Sequence, residues 1–407
     1  MTTTSRPSLY RHLLVVAGLL LAVIVWTALP GVTLAHAQFV RSNPEAGALL
    51  STAPTRVDIW FSETVASGVS TIQIYDADSR PVQTDTSTVD PNDAHHLSVA
   101  LPSVSPGVYT VVWANVSADD GHPNKGGFAF TVQTPAGTAA VPAAITSTSD
   151  LVGSPSDSIA QAVNLIAGWL AILAFVLAGG GAAFLLWCLA PALGQPDLAG
   201  NALWMRLTRR FAMFSGVAAG IGILAALASL VAKANIATGQ SVGRILTSGV
   251  LGDMLAPWSG KVWIGREVAF VAILGVALTM LISRTRTGSR SPGVSGSWLL
   301  GMIAALGAAG LVFQSLDSHL AAGHVARQGP LGIVALALHL VAVGAWVGGL
   351  GVGVLLLAPL WRGLDTALRQ VIASKVIARF SMLALASVVL IGLSGLVRGR
   401  SNDPECR

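Results

Sequence analysis

Between residues 159 and 397 the chain carries six long apolar runs, at roughly 159–190, 208–232, 262–283, 297–315, 331–359 and 376–397. A hydrocarbon core of about 30 Å is crossed by about 20 helical residues, so each run is long enough to span. A helix satisfies its own backbone hydrogen bonds, which is why lipid tolerates it. Residues 159–400 are therefore predicted to form an all-α polytopic membrane domain. Composition agrees: only 11% of residues are charged, against about 25% in a typical soluble chain.

Charge placement sets the expected topology. Three alternate connections hold Arg206, Arg209 and Arg210, then Arg284, Arg286 and Arg290, then Arg362, Arg369 and Lys375. The intervening connections, 233–261 and 316–330, are poorer in positive charge. Cytoplasmic loops collect Lys and Arg, so the first run is expected to start outside. The N-terminus independently says the same. Arg6 and Arg11 precede an apolar stretch from Leu13 to Leu29, followed by Pro30-Gly31 and small residues. That order matches a secretory signal, assigned to residues 1–35. Cleavage after Ala35 would leave His36 first; cleavage after Ala37 would leave Gln38.

Residues 36–135 differ in kind. They hold four Lys/Arg against ten Asp/Glu, which excludes a nucleic-acid-binding face. Short alternating runs recur at Arg56 to Phe61, Thr71 to Tyr75, Leu97 to Leu101, Tyr109 to Ala114 and Phe128 to Val132. Asn43-Pro44, Pro91-Asn92, Ser105-Pro106-Gly107 and Gly126-Gly127 punctuate them. Such spacing predicts an antiparallel sandwich or small barrel. A Ser/Thr/Pro/Ala-rich stretch, residues 136–158, then reads as a flexible tether.

The two cysteines, Cys188 and Cys406, cannot build a thiolate cluster, so metal chemistry here must use other ligands. The eight histidines supply a candidate. His36, as a new N-terminus, would offer an amine and an imidazole Nδ1 on one residue. Asp120 and His122, within Asp119-Asp120-Gly121-His122-Pro123, add a carboxylate and a second imidazole. Nitrogen and oxygen donors in a plane suit Cu(II). No methionine falls between residues 36 and 135, so a thioether Cu(I) site is not expected there. His95-His96 reads as a solvated turn.

This segment resembles the CopC family of periplasmic copper-binding proteins. The likeness lies in His36-Ala37, in Ser42-Asn43-Pro44-Glu45-Ala46-Gly47, and in Val116 to Pro123 leading into Gly126-x-Phe128-x-Phe130-x-Val132. It implies an all-β Greek-key barrel of cupredoxin or Ig-like type, and a Cu(II) site made by His36, Asp120 and His122.

The remaining mature histidines, His319, His324 and His339, gather at the outer end of the fourth and fifth runs. His339 lies about nine residues into its run, roughly 12–14 Å deep at 1.5 Å per residue. An ionisable group at that depth suggests function. Ser318 to Ala326, Leu338-His339-Leu340 running to Trp346-Val347-Gly348-Gly349, and Gly260-x-x-Trp263-x-x-Arg266 resemble the CopD family of copper-resistance membrane proteins. The order of parts is that of CopC–CopD fusions, which implies copper import or resistance. Copper ions, the bilayer and other copper-handling proteins are the expected partners, without nucleic acid. No catalysed reaction is expected. That class generally continues through further helices, so a shortened chain is expected from the charged tail ending at Arg407. Dense glycines in the fifth run are expected to allow close helix packing. Two other readings stay open: an exported Ig-like adhesion or sensory domain on a membrane anchor, and a histidine-brace copper oxidase.

Overall fold

The computed structural model describes residues 37–83, 85–119, 121–133, 155–194, 198–286, 297–316, 330–361 and 365–400. The assigned signal peptide and nearly all of the tether lie outside the described residues.

The β-domain is two four-stranded sheets around one core. Strands β1 (Phe39–Asn43), β3 (Arg56–Phe61), β6 (Asp93–Ala100) and β5 (Thr88–Asp90) form the first, in the order β1-β3-β6-β5. Strands β2 (Leu49–Leu50), β8 (Pro123–Val132), β7 (Gly107–Val116) and β4 (Thr71–Tyr75) form the second, in the order β2-β8-β7-β4. Alternate residues of both sheets point inward, as the two-residue period of a strand requires. Ile59, Ile74, Leu97, Val111 and Phe130 are almost fully buried between them. Trp113 sits edge-on to Phe61, with ring centroids 5.1 Å apart.

All five strands expected from alternation are present, and β6, β7 and β8 begin earlier than their apolar stretches suggested. The β7–β8 ladder runs in register from Gly107↔Val132 to Val116↔Pro123. One pairing departs from the antiparallel expectation: two-residue β2 runs parallel to β8, through Leu49↔Thr131 and Leu50↔Val132. Backbone bonds from Gly47 to Ala129 and from Thr131 to Ala48 hold it there. A pair this short carries no periodic signal.

Six helices follow, each long and apolar enough to cross a membrane: α1 (Ser158–Leu193), α2 (Asn201–Thr238), α3 (Trp258–Ser283), α4 (Ser297–Leu316), α5 (Leu331–Leu357) and α6 (Arg369–Gly395). The protein is multi-pass. Large apolar side chains such as Leu165, Leu224, Val268, Leu355 and Leu385 remain exposed on these helices, which is favourable only against lipid.

The dense glycines mark where α1 and α5 touch. A Cβ on Gly180 would run into the carbonyl of Gly344, and one on Gly348 into the carbonyl of Val176. Both helices widen into π-turns around this contact, at Val176–Gly180 and Leu185–Leu189 in α1 and at Gly344–Gly348 and Gly353–Leu357 in α5. A single extra residue per turn is how a helix adapts locally without breaking.

The two halves meet on an apolar seam. Ala66, Val69 and Val116 of the β-domain pack on Leu230, Ala234 and Ala237 of α2 and on Ile245, Val250 and Met254 of the α2–α3 connection. The β-domain thus rests on the end of α2 and the start of α3.

Gly180→Val should force α1 and α5 apart, because helix backbone cannot yield as a side-chain tip can. A loss of about 1–3 kcal/mol or more is expected from such overpacking. Gly168→Ala, where an added Cβ meets nothing within 4 Å, should be nearly neutral. Thermal unfolding of both variants in detergent checks the difference.

Candidate functional site

Of the six residues singled out from sequence, the structure describes His122 and His339. His36, Asp120, His319 and His324 lie outside the described residues. Among the described residues no group of three or more His, Cys, Asp or Glu is placed to hold a metal ion.

His122 ends the six-residue connection between β7 and β8. The loop closes on itself: Ser117 N–H donates to the His122 carbonyl at 3.0 Å, and Gly121 N–H to the Ser117 carbonyl at 2.9 Å. Gly121 adopts φ +70°, a left-handed conformation that costs glycine little. The loop is pressed against the membrane half, since a Cβ at Gly121 would lie 3.1 Å from Ser259 Oγ on α3 and 3.7 Å from Lys233 Nζ on α2.

Beside this loop the described N-terminus is clamped. The fully buried Ala37 offers its carbonyl to two side-chain amides, Asn115 Nδ2 at 3.1 Å and Asn124 Nδ2 at 3.3 Å. Asn115 and Asn124 are cross-strand partners on β7 and β8, one residue inside the Val116↔Pro123 pair that closes the ladder. Gln38 is fixed as well. It receives Ser62 N–H at its carbonyl and donates its own N–H to Ser62 Oγ, both at 2.9 Å.

A third segment joins them. Ser62 is bonded to Gln38, while the Thr64 carbonyl accepts from Ala118 N–H at 2.9 Å. Glu63 therefore stands between the clamped N-terminal strand and the His122 loop. Sequence reading missed it. Its only signal was a charged residue two positions after the buried end of β3, and only the fold reveals what that end adjoins.

His95-His96 is corrected by the structure. The pair lies within β6, not in a solvated turn; His95 is exposed, and His96 is 5% exposed. Its ring stacks on Trp60 with centroids 4.4 Å apart, and Arg41 covers the Trp60 ring at 3.4 Å. His96 Nε2 faces Asp58 Oδ1 at 2.8 Å and Nδ1 faces Asp90 Oδ2 at 3.3 Å. Asp58 is itself buried and held bidentately by Arg56. An imidazole engaged at both nitrogens packs a sheet and is not open to a metal. The Asn92 backbone N–H, then the His96 ring, hold the Asp90 carboxyl below its ordinary range.

His339 Nδ1 pairs with Ser394 Oγ on α6 at 2.9 Å. It sits on a different pair of helices from the one that seats the His122 loop.

The family model that matches this chain is the CopC domain, over residues 39–133. The matched stretch is the β-domain just described. The copper transport protein CutJ of Bacillus subtilis (strain 168) is 29% identical over 374 residues, covering 91% of this chain and 62% of that protein. This chain carries a domain of the CopC family. Its CopC domain is the two-sheet unit, and the six-helix half fits CopD. The chain spans less than two thirds of CutJ. Protein YobA of Escherichia coli (strain K12) is 36% identical over 100 residues, 24% of this chain and 80% of YobA. Among solved structures, CopC from Methylosinus trichosporium OB3b is 26% identical, covering 24% of this chain and 94% of that one, with a TM-score of 0.23.

His96→Ala should leave the buried Asp58 with Arg56 alone. A cost of about 1–3 kcal/mol is expected when a buried group loses its partner, read by denaturant unfolding of the CopC domain. Because the Asp90 carboxyl is depressed in the fold, its contribution is present above the ordinary carboxylate range and lost as pH falls through the folded value. Asp90→Asn should therefore flatten the acid limb of the stability curve.

Proposed function

We propose that this protein captures Cu(II) at the start of its CopC domain, outside the membrane, and passes copper to its membrane half without transforming a substrate. The observation that carries the reading is the double amide clamp on Ala37. Consecutive Cα atoms are about 3.8 Å apart, so the residue before Ala37 starts within one peptide of the clamp. His122 lies two residues from the clamping Asn124. A free amine and imidazole at His36, with Asp120 and His122, make a set of nitrogen and oxygen donors. Such a set favours tetragonal Cu(II). Glu63 can add a second carboxylate in the same quarter.

The seat of the domain supports delivery. The loop bearing His122 contacts Ser259 and Lys233 where α3 and α2 meet the β-domain, so a released ion starts at the membrane half. His319, His324 and His339, at the outer ends of α4 and α5, are proposed to receive it. The Ser394 bond orients the His339 ring as a metal-bound imidazole is usually oriented by a partner on its other nitrogen. The resemblance to a protein named for copper transport points the same way.

The test is a Cu(II) titration with EPR on segment 36–135, made with His36 as its true first residue and again with one extra N-terminal alanine. Tight one-to-one binding with a nitrogen-rich spectrum, lost or reshaped by the alanine, is expected. Binding should weaken below about pH 6.5, as imidazoles take up protons. Equal and weak binding by both samples would remove His36 from the site and favour an adhesion or sensory domain. Asn115→Ala, which loosens the clamp, should lower affinity about fivefold if one hydrogen bond worth about 1 kcal/mol is lost, with the domain still folded by circular dichroism.

A further inference from the structure

Directly beneath the seated loop, α3 carries a carboxylate into the membrane. Trp263 Nε1 donates to the Ala226 carbonyl of α2 at 3.3 Å. Seven residues further on, Phe270 fills the space above Gly222 of the same helix. Glu267 lies between these contacts, four residues after Trp263 and three before Phe270. It therefore sits at the same edge of α3, along the α2 seam. At 1.5 Å per residue it is roughly 13 Å from Trp258, the outer end of α3, and so within the apolar depth of the bilayer.

The nearest charge on its own helix is the neighbouring Arg266. Arg266 is engaged by α4, donating to Gln314 Oε1 at 2.9 Å, where Gly265 also meets Phe313. Glu267 Oε1 is shut from water and finds no hydrogen-bond partner among the described residues. On α2 the charged groups are Arg206, Arg209 and Arg210 near one end and Lys233 near the other, about 10 Å along the axis from Ala226 at 1.5 Å per residue. Span α4 carries no titratable side chain, α3 itself adds Lys261, and Arg284 follows directly after its last residue. An ionised carboxylate without a donor is costly in such a place. Nothing in the packing of α2 or α4 demands an acid at this position.

We propose that Glu267 is a reversible proton site in the outer half of the membrane domain, protonated at rest and ionised when a cation passes along the α2–α3 seam. In that step the carboxyl O–H bond breaks and its proton leaves to water at the outer end. The carboxylate left behind offsets one positive charge of the ion. The coupling to a cation rests on the copper reading above; the proton site does not.

The experiment uses the full chain in lipid. Glu267→Gln copies the neutral acid in size and polarity, so the variant should fold. Infrared difference spectra of wild type against Glu267→Gln should contain a protonated carboxylic acid carbonyl band at about pH 7, fading as pH rises well beyond the ordinary carboxylate range near 4. A hydrophobic carbodiimide should label Glu267 in the wild type and be slowed by added copper. Absence of the carbonyl band at about pH 6 would overturn the proton site. Copper flux into vesicles is the separate arm: wild type should depend on pH and Glu267→Gln should not. Flux with unchanged pH dependence in the variant overturns the coupling. A carbonyl band in a wild type that carries no copper leaves the proton site standing and sinks the copper reading instead.

Discussion

The apolar seam between the β-domain and the ends of α2 and α3 fixes the β-domain on the membrane half. Ala66, Val69 and Val116 are buried against Leu230, Ala234, Ala237 and Met254, and burying a Val, Leu or Met side chain is worth about 1.5–3 kcal/mol. Turning the domain away would return these surfaces to water. Two left-handed glycines let backbone meet side chain along the seam: Gly121 against Ser259, and Gly68 against Asp253. The seam is thus close-fitting, and the His122 loop cannot face elsewhere while it is intact.

The same end of the β-domain is also tied together by hydrogen bonds. The clamp on Ala37, the pairing of Gln38 with Ser62 and the bond from Ala118 to Thr64 tie three separate chain segments together. An N-terminal ligand needs this kind of support, because a free chain end loses more conformational entropy on ordering than a residue held on both sides. By contrast, the other buried polar cluster, with Asp58, His96 and Asp90, satisfies itself within the first sheet. Two histidines of one small domain therefore have different surroundings: His96 is closed by carboxylates on both sides, while His122 lies on the loop that meets the membrane half.

In the membrane half, the closest glycine packing and the buried carboxylate lie on different helices. Helices α1 and α5 approach through Gly180, Gly344 and Gly348, with π-turns absorbing the strain of close contact. Helix α3 carries the polar groups: Trp263 bonded to α2, Arg266 bonded to α4, and Glu267 along the α2 side. Its N-terminal end lies under the loop of the β-domain, so one rigid element connects the seat of the loop to the carboxylate further along α3.

Much of this architecture was legible in the residues themselves. Alternation revealed β3, β4, β6, β7 and β8, and unbroken apolar length revealed all six spans, because each pattern reports what a segment must bury. His122 in its Gly-containing turn was legible for the same local reason. Strands β1, β2 and β5 were not, since short edge strands are held by partners and not by periodicity. Nor were the placement of His96 between Asp58 and Asp90, the nearness of Glu63 to the clamped N-terminus, or the side of α3 on which Glu267 lies. Each depends on residues far apart in the chain meeting across a sheet, a seam or a helix pair. The sequence by itself determined which surfaces had to leave water; the tertiary structure decided which of them met, because burial is non-directional while hydrogen bonds and close packing are specific to their partners.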